Sequence, residues 1–284
     1  MTNRGSSLRG SETAKKSEEG RDNLVRRTVG NPPQTKEREL EMKNILTATA
    51  ILAMSAGGAL AGVGTTVVDF EDGMTHGWEG PQGFGGATAI DPTYGVGGGA
   101  GYRTQFNNFG IDFYNDTNSD FIGDYTQYNE VTISVDIRID QIGAFLPVPR
   151  PFLLELRNND LGDAGYPWAS AYLLFDWYGQ DSFSDYITLS TTFDPNATDL
   201  PAGWGGFGSE DPMTFEPTLP DGVTFADVLS GVDTISINTI LPGFFFTFDD
   251  YDVTLDNITI TKTPAPSALA LLGLGGLVGT RRRR

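Results

Sequence analysis

From residue 131 to 139 the chain reads VTISVDIRI, with Val131, Ile133, Val135, Ile137 and Ile139 on one side and Thr132, Ser134, Asp136 and Arg138 on the other. That strict period of two predicts a half-buried β-strand. Shorter runs of the same kind predict strands over 172–178, 186–193, 234–240, 244–248 and 252–260. Clusters of Asp, Gly, Pro and Asn separate them, as in NNDLGDAGYP and DPNATDLPAGWGG. Only TFADVLSG, at 224–231, suggests a turn or two of helix. In 251–261 the apolar positions fall at 253 and 255, then at 258 and 260, so the period slips by one residue at Asp256-Asn257. A β-bulge produces such a slip and re-aims the side chains around it. Several antiparallel strands without a long helical period predict an all-β β-sandwich or jelly roll over 62–261.

Both ends of the chain break this pattern. MKNILTATAILAMSAGGALAG, starting at Met42, has one basic residue, an apolar stretch and then small residues ending in Ala59-Leu60-Ala61. That order predicts a signal peptide over 42–61, cut by a signal peptidase after the A-x-A formed by Ala59 and Ala61. The 41 residues before it are polar and of mixed charge and read as a disordered extension, with translation expected to start at Met42. At the other end, 268–280 is uncharged and Arg281, Arg282, Arg283 and Arg284 follow it. Thirteen helical residues reach about 20 Å, short of the roughly 30 Å of a bilayer core. The arginines would hold that end in the cytoplasm. Pro264-Ala265-Pro266, the apolar stretch and the Arg cluster together resemble the PEP-CTERM sorting signal, over 262–284. The resemblance implies transient membrane insertion of a C-terminal transmembrane helix and recognition by an exosortase. It also implies removal of the tail near the Pro motif, although Ala265 stands where the family has Glu. A simple tail anchor is the alternative for the same pattern.

Charge narrows the classes of partner. Residues 62–261 hold four basic residues, Arg103, Arg138, Arg150 and Arg157, against 30 acidic ones, a net charge of −26. Such a surface repels nucleic acid and anionic membranes, and suits solubility in salt or carboxylate-held divalent cations. The chain has no Cys, which excludes disulfides and thiolate metal sites, and a single His, His76, which excludes a multi-His metal centre. Neither a triad nor a spaced carboxylate motif for glycoside hydrolysis stands out. GVGGGAG at 95–101 lacks the Lys-Ser/Thr of a phosphate loop and reads as a flexible turn.

VVDFEDGMTHGW (67–78) and YDVTLDNITIT (251–261) resemble the opening and closing strands of carbohydrate-binding jelly rolls. The resemblance implies a structural Ca2+ between first and last strands, held by Glu71 and Asp256 and, as a third ligand, Asp69. DTNSDFIGD at 116–124 has the oxygen spacing of an EF-hand loop, but Phe121 takes the place of the turn Gly and Gln127 that of the bidentate Glu, so it reads as a polar loop. Sugar recognition needs flat aromatic faces beside hydrogen-bonding groups. The candidates are Trp78 and Trp204 in glycine-flanked loops, with Tyr172, Asp176 and Tyr178 on one face of the strand at 172–178, opposite Leu173, Phe175 and Trp177. A core role for these aromatics is the alternative. The resulting expectation is a non-enzymatic, exosortase-sorted protein of the cell surface, outer membrane or extracellular matrix of a Gram-negative-type bacterium that binds exopolysaccharide. A ligand-free structural or adhesive matrix protein and a surface glycoside hydrolase or lyase are the alternatives.

Overall fold

A computed structural model describes residues 64–143, 148–179 and 183–264. The elements are β1 (Gly64–Val68), β2 (Trp78–Glu79), β3 (Gly86–Asp91), β4 (Gly101–Asn108), β5 (Asp112–Asn115), β6 (Tyr128–Ile142) and β7 (Arg150–Asn158). They continue with β8 (Ala169–Tyr178), β9 (Phe183–Phe193), β10 (Trp204–Phe207), β11 (Ser209–Glu210), β12 (Pro217–Thr218), α1 (Phe225–Leu229), β13 (Thr234–Asn238) and β14 (Asp249–Pro264). One sheet has the order β3-β4-β14-β6-β9, with β1 also paired to β14, and the second has the order β10-β8-β7-β13-β5-β2. All of these pairings are antiparallel. The protein is an all-β sandwich of the kind its strand pattern predicts.

The two sheets bury their facing side chains against each other. On β6 the five aliphatic residues from Val131 to Ile139 are at most 2 % exposed. β7 lies between β8 and β13 with nearly every side chain buried, so its sequence, RPFLLELRN, shows no clean period of two. A strand covered on both faces loses the alternation that would reveal it. The predicted helix is α1, started by a capping box in which Thr224 Oγ1 accepts from Asp227 N–H (3.1 Å) and the Asp227 carboxylate accepts from Thr224 N–H (2.8 Å).

Two strand expectations change. The stretch 244–248 is not a strand: Leu241-Pro242-Gly243 turns the chain, Gly243 has φ +78°, and Phe244 N–H closes on Leu241 O (3.1 Å). Phe244 and Phe245 are 62 % and 84 % exposed there. In β8, Phe152 of β7 opposes Asp176 and Leu153 opposes Leu174, so Phe175 is an extra residue and the alternation slips there. Asp176 and Tyr178 therefore do not share the face of Tyr172.

The slip in β14 is a bulge, as predicted. Its register against β6 shifts between Asp256 and Thr259, and Asn257 adopts φ +47°. The bulge lets Val253 and Leu255, then Ile258 and Ile260, all face the core at 0–1 % exposure. Before it β14 pairs with β4, and after it with β1. The domain's first and last strands thus leave at one pole, where Gly64 opposes Lys262 and Pro264 opposes Tyr128.

At that pole Lys262 is 4 % exposed, with its Nζ 5.0 Å from the centroid of Tyr125 and 5.3 Å from that of Tyr128. Burial lowers its pKa to about 8 from 10.5. The unfolded chain binds this proton more tightly than the folded one, so the side chain costs stability below about pH 8. That cost fades as pH rises from about 8 towards 10.5, where the unfolded state alone still carries the proton. Lys262→Met is expected to stabilise the protein at pH 7 by about 1 kcal/mol, the lost cation–π contacts offsetting part of the gain. Thermal melts of parent and variant should converge as pH rises to 10; a constant difference would refute the assignment.

Candidate functional site

The outer face of the second sheet is built by the alternation of β7. Phe152, Leu154 and Leu156 turn into the core, which leaves Leu153, Glu155 and Arg157 facing outwards. Cross-strand pairing then sets which groups stand beside them. Glu155 opposes Tyr172 of β8 and Ser236 of β13, and Arg157 opposes Ser170 and Thr234. Asn238 opposes Asp112, and Tyr114 opposes both Ser236 and Glu79. Opposed residues share a face, so five strands contribute to a single polar surface.

Glu155 is its hub. Its carboxylate accepts from Ser170 Oγ (2.7 Å), Trp168 Nε1 (3.3 Å), Arg157 (2.8 Å) and Asn238 Nδ2 (3.2 Å), and the residue is 5 % exposed. Arg157 also reaches Asp112 (3.0 Å), whose other oxygen accepts from Ser236 Oγ. Burial opposes the Arg157 charge, yet Glu155 and Asp112 more than compensate and hold the guanidinium above its usual pKa. Tyr114 donates to Glu79 (2.6 Å), which with burial pushes its hydroxyl up to about 12. Arg157 and Tyr114 therefore keep their protons at neutral pH.

Aromatic rings border this network. Arg157 lies 4.8 Å over the ring of Trp168, which tilts against Phe207 at 6.2 Å, and Tyr166 meets the same Phe207 edge-on at 5.3 Å. Tyr172 lies across Gly205 of β10, where a Cβ would run into its ring. The glycine makes room for the tyrosine ring over β10. Trp168, Tyr172 and Phe207 are each half-buried, as a ring with one covered face must be.

Of the residues singled out for sugar contact, only Tyr172 stands on this face. Trp78 is 1 % exposed and meets Phe121 edge-on at 5.4 Å, so it is a core residue. Trp204 packs against Phe193 (5.1 Å) and Phe225 (5.2 Å) at the edge of the core. Tyr178, 7 % exposed, packs edge-on against Phe152 at 5.6 Å. Asp176 is exposed but opposes the core residue Phe152. Glycine neighbours do not by themselves bring a tryptophan to the surface. Glu155, Arg157, Asp112, Asn238 and Trp168 were not singled out. Their one legible signal is the pair of charges spaced by two in LLELRN, inside an otherwise apolar run.

The structure brings Glu71 and Asp256 to one loop. Glu71 accepts from Ala100 N–H (2.9 Å), and Asp256 from Val96 N–H (2.7 Å) and Asn257 N–H (2.7 Å). The glycine-rich turn at 95–101 is thereby tied down at both ends. Asp69 is exposed and accepts from Glu71 N–H (3.3 Å). Burial raises the Asp256 pKa, and Asp136 and Glu71 add to the shift. Among the described residues no group of three or more Asp, Glu or His is placed to hold a metal ion. In the EF-hand-like loop, Asn118 and Asp124 accept backbone N–H groups of Asp120 (3.0 Å) and Thr126 (2.9 Å), as ordinary turn residues do. Pro264 ends β14. Ala59, Ala61, Ala265, Pro266 and Arg281 to Arg284 lie outside the described residues, as do the whole of 1–61 and the apolar segment at 268–280. Among the described residues no helix is long and apolar enough to cross a membrane.

No known protein-family profile and no curated protein matches the chain. Among solved structures it is similar to the CBM22-1–GH10 modules of a Clostridium thermocellum endo-1,4-β-D-xylanase complexed with xylohexaose, at 13 % identity and TM-score 0.41, over 70 % of this chain and 29 % of that one. It is also similar to the CBM22-1 xylan-binding domain of a Paenibacillus barcinonensis xylanase, at 13 % identity and TM-score 0.40, over 72 % and 99 %. A third is the family 30 carbohydrate-binding module of a cellulosomal cellulase of C. thermocellum, at 11 % identity and TM-score 0.39, over 66 % and 91 %. The chain spans under a third of the first of these structures. At these scores the architecture rests on this protein's own strand pairing.

Removing the hub tests how the face is held. Glu155→Ala strands Trp168 Nε1 and leaves Arg157 with Asp112 and Asn238 with Ser236 as remaining partners, and is expected to cost about 2 kcal/mol in urea unfolding, since a buried hub of four hydrogen bonds is removed. A loss below about 1 kcal/mol would mean that the network is solvated rather than built.

Proposed function

We propose that the protein is an exported, non-catalytic polysaccharide-binding protein and that the outer face of the second sheet is its binding face. The observation that supports this most is the juxtaposition of Trp168, Tyr172 and Phe207 with the fixed network of Glu155, Arg157, Asp112, Ser236 and Asn238. Pyranose rings offer C–H patches to aromatic faces and hydroxyls to carboxylates, amides and guanidinium groups. Apart from Arg157 Nε, a buried donor without a partner, the groups of the network hydrogen-bond to one another, so a sugar would use the remaining lone pairs and the half-buried rings. Such a site binds; it holds no isolated acid–base pair for hydrolysis.

Calcium enters this reading as a structural ion held by Glu71 and Asp256, with Asp69 as a third ligand. Its support is the resemblance of the first and last strands to carbohydrate-binding jelly rolls, together with the placement of Glu71 and Asp256 at the two ends of one glycine-rich turn. Against it stands the occupation of both carboxylates by backbone N–H groups.

A glycan array read with calcium and again with chelator tests both ideas. Binding to one polysaccharide class that falls at least tenfold in Trp168→Ala and in Tyr172→Ala, with unchanged melting, is the expected result. Binding indifferent to both substitutions, or none from folded protein, would sink the face as a site. Insensitivity to chelation would remove the calcium.

Export by a signal peptidase and sorting by an exosortase belong to the same proposal, and their support is the order of segments at the two ends of the sequence. Cleavage between Pro264 and Pro266 would leave the whole of β14 in the product. Intact mass of the protein recovered from culture should show a chain beginning near Gly62 and ending near Pro264. A mass that retains the four arginines would exclude sorting by cleavage and favour a tail anchor.

A further inference from the structure

The outer face of the first sheet carries a second ordered set of polar groups. Arg103 on β4 and Arg138 on β6 stand in register on either side of Thr254 of β14. Their guanidinium groups lie 3.5 Å and 4.8 Å from the centroid of the Tyr94 ring, and Tyr186 of β9 donates to Tyr94 O. Arg103 donates through Nε (2.8 Å) and Nη2 (2.6 Å) to Asp252 and through Nη1 to Asp91 (3.4 Å), while Arg138 donates to Asp140 (2.7 Å). Gln105 Nε2 also donates to Asp252 (3.0 Å), and no described residue donates to Gln105 Oε1.

Beside these groups the face steps down. β3 is the edge strand, and its outward residues Ala87 and Ala89 oppose Gln105 and Arg103. Both alanines are exposed, and a methyl group stands far lower on a sheet than the long side chains across from it. The step makes an open trough of about 540 Å³, lined by Ala87 and Ala89 on one strand, Arg103 and Gln105 on the next, and Asp91. That volume is in the range of ligand sites, and it exceeds the hollow of about 170 Å³ among Phe109, Phe244 and Phe245 at the aromatic pole.

The lining selects the class of ligand. Each guanidinium already faces a carboxylate, so no unbalanced positive charge is left for an anion, and the acidity of the domain repels one. A hydrocarbon would strip Arg103, Gln105 and Asp91 of water without replacing its hydrogen bonds. A neutral sugar does replace them: its hydroxyls accept from guanidinium and amide N–H groups and donate to carboxylates and to Gln105 Oε1, while its C–H patches cover the alanines.

We propose that this trough is a second site for neutral polysaccharide, so that one molecule holds two polymer chains, one on each side of the sandwich. The proposal rests on the reading of the protein as polysaccharide-binding, but not on the second-sheet face itself. The outer faces of two packed sheets point in opposite directions, so the two ligands do not collide. Binding of this kind bridges polymer chains into a network.

Affinity electrophoresis of the whole chain, in gels cast with hydroxyethylcellulose, galactomannan or dextran and with alginate as the anionic comparison, tests the proposal. Arg103 and Tyr94 help to hold the face, so the trough is probed at two exposed positions: Ala89→Leu fills it and Gln105→Ala removes its amide. A chain carrying Trp168→Ala together with Tyr172→Ala is expected still to be retarded by a neutral polymer. Adding Ala89→Leu or Gln105→Ala should weaken that binding at least tenfold with unchanged melting. Loss of all retardation in the Trp168→Ala, Tyr172→Ala chain would overturn the trough and leave the second-sheet face standing. Retardation indifferent to Ala89→Leu and Gln105→Ala, retardation by alginate alone, or none by any polymer would overturn the trough as well. If the Trp168→Ala, Tyr172→Ala chain binds as well as the parent and Ala89→Leu abolishes binding in both, the trough stands and the second-sheet face falls. Light scattering of the retarding polymer should rise with the parent and not with a variant of either face; no rise with the parent would overturn the bridging.

Discussion

One irregular strand holds the first sheet together. β14 pairs on one side with β6 along almost its whole length, and on the other with β4 before the bulge and β1 after it. Without the extra residue at Asp256-Asn257, keeping Val253 and Leu255 in the core would turn Ile258 and Ile260 to solvent. The bulge is secured by hydrogen bonds rather than by packing. Asp256 accepts the N–H groups of Val96 and Asn257, and Asn257 Nδ2 donates to Asp136 on β6 (2.8 Å). The same residues anchor the glycine-rich turn, so the carboxylate read as a metal ligand has a structural task already.

Cations are scarce in this acidic domain, which makes their placement informative. All four arginines sit in ion pairs: Arg103 with Asp252, Arg138 with Asp140, Arg150 with Asp249 and Arg157 with Glu155 and Asp112. Arg103 and Arg138 share the ring of Tyr94 on the first sheet, and Arg150 is buried near the aromatic pole, where it also donates to Tyr251 Oη (3.0 Å). Arg157 lies on the outer face of the second sheet, whereas Arg103 and Arg138 lie in register on the outer face of the first, beside Tyr94 and Tyr186. Both outer faces thus combine guanidinium, carboxylate and aromatic groups.

The domain is also polar in the geometric sense. β1 and the end of β14 lie at one pole, exposed phenylalanines lie at the other, and the polar face lies on the outer side of the second sheet.

Much of the architecture was legible along the chain, because a strand with one wet face writes its burial in a period of two. β6 and the bulged β14 show this, and the capping box of α1 is equally local. Where both faces are covered the writing disappears: β7 carries the hub of the candidate site, and nothing but the two charges in LLELRN marked it. The aromatics were harder still. Trp78 and Trp204 in glycine-rich surroundings looked exposed and are packed, while Phe244 and Phe245 looked like strand and are exposed. An aromatic side chain is equally at home in a core or on a surface, and its neighbours in sequence do not say which. That depends on what the opposite sheet places over it. By itself the sequence determined the fold class, the slip in the last strand and the charge. Only the tertiary structure decided which rings face water and which charges meet, because cross-strand register joins residues as far apart as Asp112, Glu155 and Asn238.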